Sequence, residues 1–211
     1  MTRSGPAGRP SARDMLPLAR SGVGLLASIA VTPMVVRLRC LSLLVGPDRA
    51  CLSISERAAL WPGLSGVYLR RALLPWLIAA AGQEISIGLG TILTKRTIEL
   101  GNSVYIGRYC ILGDVRIGDQ TLVSDHVRLL SGQHGMAPDR PVAAQASIYR
   151  VLCVGADVWV GSGATILADL SDHCVIGAGS VVTKLVPAYA IMAGNPVRPI
   201  GDRRERGTGA P

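Results

Sequence analysis

The stretch VRIGDQTLVSDHVRLLSGQHG, Val115 to Gly135, sets a beat and then breaks it. Ile117, Val123 and Leu129 stand six residues apart, and Thr121 and Val127 follow the first two anchors by four. Working outward, the same beat runs through Ile87, Leu93, Leu100, Ile106 and Leu112 upstream. It resumes downstream at Val154, Val160, Ile166, Leu170, Ile176 and Val182. Glycine follows many anchors, as at Gly101, Gly107, Gly118, Gly155, Gly161 and Gly177, and a small or β-branched residue lies four after most. Between Leu129 and Val154 the beat stops, and His134 appears among small residues.

A six-residue period of one inward aliphatic anchor and one smaller inward residue specifies short strands joined by tight corners, three to a coil. The fold class is therefore an all-β repeat, a parallel β-helix whose coils hydrogen-bond at a spacing of about 4.8 Å. Fourteen anchors predict between four and five coils. The five-residue step from Leu112 to Ile117 and the four-residue step from Ile166 to Leu170 fall at corners. Composition agrees. The 211 residues include 25 glycines and no phenylalanine, and 49% are hydrophobic against 4% aromatic. A narrow prism of aliphatic rungs has little room for large rings.

The domain reading is a disordered Gly/Pro/Ser/Arg tail over 1–14, a basic, apolar helical segment over 15–82, the β-helix over 83–200 with a loop over 132–153, and a C-terminal tail over 201–211. The net charge of +8 is concentrated at the N-terminus, where residues 1–80 hold ten arginines against Asp14, Asp48 and Glu56. Arginine beside apolar runs points to acidic lipid head groups rather than to nucleic acid. Ser21 to Val36 is apolar but short of a membrane span, and Pro33 interrupts it. A signal peptide and a single span compete with the preferred reading, an interfacial or core-docking helix. Ser53 and Glu56 form a candidate capping box, ended by Pro62-Gly63. A further helix puts Leu69, Leu73, Trp76 and Ala80 on one face, with Arg70 and Arg71 off it. Cys40, Cys51, Cys110, Cys153 and Cys174 are odd in number and without metal-ligand spacing, so neither paired disulfides nor a metal site is expected and the compartment is read as reducing.

A rod has no cleft of its own, so chemistry needs a wall added by a loop or a neighbouring subunit. The loop from Gly132 to Cys153 fits that need, and it carries His134, which on its own reads as a solvent-exposed loop histidine. His126 and His173 fall at corners and read as surface residues. Trp159 is bulky for a repeat site and is read as packing on the loop or lining the acceptor side.

From Ile87 to Ile200 the chain resembles the hexapeptide-repeat acyltransferases, in the branch of maltose, galactoside, xenobiotic and polysaccharide-cluster O-acetyltransferases. The resemblance rests on Val115–Gly135, on GADVWVGSGATIL (Gly155–Leu167), on VIGAGSVVTKLVP (Val175–Pro187) and on AIMAGNPVRPI (Ala190–Ile200). It implies a left-handed β-helix, an exception to the usual crossover hand. It also implies homotrimers with active sites between subunits, acetyl-CoA as co-substrate and no metal. His134 falls at the position of the family's catalytic histidine. Ser162, Ala178, Thr183, Lys184 and Arg198 fall at its coenzyme A positions, and Asp114 at an acceptor-side aspartate. A further family arginine would fall on Gly201, which is a departure. The implied activity is O-acetylation of a saccharide or glycolipid in surface or exopolysaccharide biosynthesis, in the cytoplasm or at the inner face of the membrane. Transfer to the amine of an amino sugar or xenobiotic, and a non-catalytic β-helix scaffold, are the alternatives.

Overall fold

The structure, a computed structural model, describes residues 22–206. The tail reading for residues 1–14 lies outside them. Four helices precede the repeats: α1 (Gly22–Ala30), α2 (Thr32–Val45), α3 (Pro47–Ala59) and α4 (Gly63–Leu77). The repeats fold as a left-handed parallel β-helix of about six turns. This exceeds the expected four to five. The first coil starts at Ala80–Ala81, before Ile87, and Val186 and Ala190–Ala193 add a coil after Val182.

Three walls stack coil upon coil. The first contains Ala80–Ala81, Glu99–Leu100, Val115–Ile117 and Leu152–Val154, continued by bridges through Leu170 and Val186. The second runs from Ser86–Ile87 through Tyr105–Ile106, Leu122–Val123, Trp159–Val160 and Val175–Ile176 to Ala190–Ala193. The third runs from Ile92–Leu93 to Val181–Val182. Register is in phase, so Ile106 pairs with Val123 and Leu112 with Leu129. All nine of the small or β-branched residues four after an anchor, from Thr91 to Ser180, are buried with the anchors.

The spacing varies at one corner only. From first wall to second and from second to third, anchors are always six apart, as in Leu100, Ile106 and Leu112. From third wall back to first, the steps are seven (Leu93 to Leu100), five (Leu112 to Ile117), twenty-five (Leu129 to Val154), four (Ile166 to Leu170) and four (Val182 to Val186). The two constant corners each hold left-handed residues in a stack. Ser103, Gln120, Asp157, His173 and Tyr189 occupy one, and Tyr109, His126, Gly163 and Gly179 the other, all with positive φ. Their N–H groups donate to the coil before, as from His126 to the Arg108 carbonyl at 2.7 Å. A fixed turn geometry holds the period there, and the third corner is free of it.

The helices close the open edge of the first coil, whose backbone groups would otherwise face no partner. Ser55 Oγ accepts from Leu93 N–H at 2.8 Å, and Gly90 N–H donates to the Ala59 carbonyl at 2.8 Å. Asp48 accepts from the N–H of Arg96 at 3.2 Å. Arg70, 4% exposed, donates from Nε to the Ile87 carbonyl at 2.9 Å and from its terminal nitrogen to the Trp61 carbonyl at 2.6 Å. These contacts correct two expectations. Arg70 is buried because it ties the helix turn to the first coil. Ser53 is no cap, since α3 already begins at Pro47, after Gly46 with φ 88°. Leu73 packs inward as expected, but Trp76 is exposed and lies under the Arg39 guanidinium, 5.3 Å from the ring centroid.

The apolar N-terminal run breaks at Val31, and Pro33 sits in the first turn of α2, where a missing N–H costs nothing. Among the described residues no single helix is long and apolar enough to cross a membrane; Gly24–Ala30 and Thr32–Val45 pass together but bend by 44°.

Candidate active site

The long insertion leaves the rod at the variable corner. It begins as an antiparallel hairpin of Gly132–His134 and Ser147–Tyr149, pairing Gly132 with Tyr149, Gln133 with Ile148 and His134 with Ser147. Its base is closed by Arg150 N–H donating to the Ser131 carbonyl at 3.0 Å. Ser131 Oγ accepts from the N–H of Asp114, one coil below, at 2.8 Å. Gln145 organises the distal part: its amide donates to the carbonyls of Ala137 and Arg140 and accepts from Ala137 N–H at 2.9 Å. Asp139 and Arg140 pair with each other at the surface.

His134 is exposed, and its Nδ1 lies 3.5 Å from Ser147 Oγ. Strand alternation puts Gln133 and Ile148 on the other side of the hairpin. On that side lies a groove of about 430 Å³ between the hairpin base and the coils, lined by Ser131, Gln133, Ile148, Arg150, Thr183 and Lys184 among others. Arg150 bridges its floor, pairing with Asp169 at 3.0 Å and donating to the Leu167 carbonyl. A larger groove of about 660 Å³ follows the outside of the first wall, where Glu99 and Arg116 pair. It holds no histidine, and we place the candidate chemistry at the hairpin.

The family-matched positions fall into two groups. Asp114, His134, Thr183 and Lys184 collect at the variable corner. Ser162 and Ala178 lie across the third wall at a constant corner, on successive coils, where Gly179 N–H donates to the Ser162 carbonyl at 2.8 Å. Arg198 is exposed on the final strand, next to Val197, whose N–H donates to the Val181 carbonyl. One protomer therefore does not bring Ser162, Ala178 and Arg198 to His134. Asp114 accepts from the Thr97 hydroxyl at 2.7 Å.

Three other sequence expectations resolve here. Trp159 stands outside the second wall, its indole N–H donating to Ser124 Oγ at 3.3 Å, away from the hairpin corner. His126 is exposed and stacked on Tyr109 at 5.3 Å. His173 is half-buried, contrary to a plain surface role: Nδ1 meets Asp157 at 2.9 Å, and Arg203 reaches the same carboxylate at 2.8 Å. Burial opposes ionisation of Asp157, yet hydrogen bonds from His173 and Arg203 hold its carboxyl below the usual carboxylate range. Burial pushes the thiols of Cys51 and Cys174 up to about 11. All five cysteines are free, and among the described residues no group of three or more His, Cys, Asp or Glu is placed to hold a metal ion.

No family model matches the chain. It is 32% identical over 118 residues to the galactoside O-acetyltransferase of Escherichia coli, covering 50% of this chain and 57% of that one. It is 39% identical over 108 residues to nodulation protein L of Rhizobium meliloti, covering 48% and 57%. A putative colanic acid biosynthesis acetyltransferase of Escherichia coli is 31% identical over 113 residues, covering 51% and 60%. The chain thus spans little more than half the length of these relatives. Among solved structures, a maltose O-acetyltransferase from Clostridium difficile superposes with a TM-score of 0.68 at 26% identity, covering 76% of this chain and 88% of that one. A galactoside acetyltransferase in complex with coenzyme A shares the fold, with a TM-score of 0.61 at 24% identity over 74% and 80%. Repeat, coil stacking and these likenesses together identify the rod as a left-handed β-helix, and the chain is similar to O-acetyltransferases of galactosides, maltose and polysaccharide biosynthesis.

Proposed function

We propose that the protein is an acetyl-CoA-dependent O-acetyltransferase acting on a saccharide or glycolipid acceptor in surface or exopolysaccharide biosynthesis. The observation that carries this reading is the position of His134, on a hairpin thrown from the one corner where an otherwise closed rod can accept an insertion. The imidazole takes the acceptor hydroxyl proton as the oxygen attacks the thioester carbonyl, and Ser147 Oγ, within reach of Nδ1, orients the ring. The thioester is already activated, so no covalent enzyme intermediate is needed. Holding donor and acceptor together supplies much of the remaining acceleration.

Ser162, Ala178, Thr183, Lys184 and Arg198 hold coenzyme A, with the two cations on its phosphates. Thr183 and Lys184 line the groove on the Gln133 side of the hairpin, opposite His134, and Arg198 lies across a wall. Donor contacts and base for one thioester therefore come from different copies, which supports a homotrimer with sites between subunits. Asp114 lies on the acceptor side.

The helical end meets the membrane. Leu43 is 89% exposed and Leu44 80%, with Leu25, Leu26, Ile29, Leu60 and Leu64 also exposed. Such a collection exceeds the scattered apolar residues of an ordinary surface. Arg37, Arg39, Arg49 and Arg57 on the same helices suit anionic head groups. Free cysteines and an acetyl-CoA donor suit the cytoplasmic face.

The test is acetyl-CoA turnover with a panel of saccharide acceptors, comparing the wild type with His134→Ala. Loss of turnover in the variant is expected; equal turnover sinks the mechanism. Replacing Leu43 and Leu44 by Asp should release the protein from anionic vesicles while leaving its oligomeric state unchanged, and continued sedimentation overturns the membrane reading.

A further inference from the structure

The side of the hairpin that carries His134 has a second occupant. Gly132 pairs with Tyr149 and His134 with Ser147, two positions apart on the ladder, so Tyr149 and His134 share one side. The Tyr149 ring lies across Gly132: a Cβ there would stand 2.9 Å from Cε1 and 3.2 Å from Cδ1. The side chain is otherwise open, with Tyr149 63% exposed. Lys95 comes up from below, its ammonium 5.1 Å from the ring centroid. Lys95 is itself fixed by Asp48 of α3 at 2.9 Å, which leaves two of its three donor hydrogens for other partners.

Lys95 belongs to the variable corner of the first coil, whereas the hairpin leaves the third. The hairpin therefore leans back over two coils, about 10 Å at the usual spacing, toward the helical end of the rod. Asp114 stands between these two coils at the same corner.

We propose that Tyr149 and Lys95 form an acceptor subsite for a sugar ring beside His134. This rests on the acetyl-transfer reading. A pyranose offers an apolar C–H face and an edge of hydroxyls. Tyr149 supplies exposed aromatic surface for the first, and the Lys95 ammonium a donor for the second. An acceptor held there lies on the His134 side of the hairpin, opposite the groove with Thr183 and Lys184, so acceptor and that groove do not compete. The lean toward α3 also points the subsite to the end of the rod where a lipid-borne saccharide would arrive.

The experiment uses the full chain and steady-state acetyl transfer to octyl glycosides of glucose, galactose, mannose and N-acetylglucosamine, followed by free thiol release. With the best acceptor, Tyr149→Ala is expected to raise KM for the glycoside by about tenfold, the scale of one lost aromatic contact. KM for acetyl-CoA and the slow acceptor-independent hydrolysis should stay within about twofold of wild type, and Tyr149→Phe should restore most of the affinity. Gly132→Ala, which displaces the ring, should resemble Tyr149→Ala. An unchanged glycoside KM in Tyr149→Ala overturns the subsite, as does an equal rise in KM for acetyl-CoA. Absence of transfer to every glycoside with intact acetyl-CoA hydrolysis overturns the saccharide acceptor. Absence of both activities in the wild type overturns the acetyl-transfer reading itself.

Discussion

Ser147 Oγ stands 3.5 Å from His134 Nδ1, across a pair of directly opposed hairpin residues. The contact is long for a hydrogen bond, and under the proposed mechanism it would tighten when substrate closes the site. Ser147→Ala should lower kcat by about three- to tenfold with little change in KM, a smaller effect than the roughly 10²- to 10⁴-fold loss for His134→Ala. A matched pair of kcat values, measured with saturating acetyl-CoA, checks this; a Ser147→Ala enzyme at full speed removes the serine from the mechanism.

The distal loop depends on one side chain. Gln145 spans Ala137 and Arg140 with three hydrogen bonds. Gln145→Ala should reduce turnover several-fold while shifting Tm by no more than about 2 °C, because the loop lies outside the stacked core. Calorimetry beside kinetics separates the two effects, and an undiminished rate counts against a working role for the ordered loop.

Donor affinity should respond to the two cations. Lys184→Ala and Arg198→Ala are each expected to raise KM for acetyl-CoA by about five- to twentyfold, the value of one charge-assisted phosphate contact, with acceptor KM unchanged. Coenzyme A and dephospho-coenzyme A inhibition constants that differ by the same ratio in both variants as in the wild type would remove the 3′-phosphate as their target.

The cap on the first coil should be costly to break. Ser55→Ala strands the Leu93 N–H, and Arg70→Met strands the Ile87 and Trp61 carbonyls. Losses of about 1–3 kcal/mol for the first and somewhat more for the second follow from leaving buried groups without partners. Urea unfolding midpoints read both; Arg70→Met at wild-type stability would mean the helices are held without it.

The C-terminal clasp carries a pH dependence. Asp157 is held below the usual carboxylate range, so its ionised form binds His173 and Arg203 more favourably in the folded state. Its contribution is present above the unfolded carboxylate pKa of about 3.9 and disappears as pH falls through the lower folded value. Asp157→Asn should therefore lower Tm at pH 7, by the small amount expected of half-exposed pairs, and the gap should narrow as the pH falls below the unfolded carboxylate value. A gap that does not narrow with falling pH would assign the loss to packing.

Most of the rod was legible because each constant corner repeats the same physical problem, and one inward aliphatic residue per six solves it. Ile106, Val123 and Val160 could be placed by counting. The coil number was short because the ends do not look like the middle: Ala81 is a small anchor, and Met192 sits where an antiparallel return strand replaces the next coil. Ser55 and Arg70 gave no local signal, since their partners lie 38 and 17 residues away. His134 was singled out because a break in a strict period is itself a signal. Tyr149 was missed because an aromatic residue inside a long insertion has no period to violate. Its place opposite Gly132 exists only once the hairpin is paired.

The steps of seven, five, twenty-five, four and four at the third corner make that edge an insertion port. Connections of very different length already close there without disturbing either neighbouring corner. Foreign hairpins grafted between Leu130 and Leu152 should leave the rod standing, so the molecule can exchange its substrate-facing part as a cartridge while keeping the same barrel of aliphatic rungs.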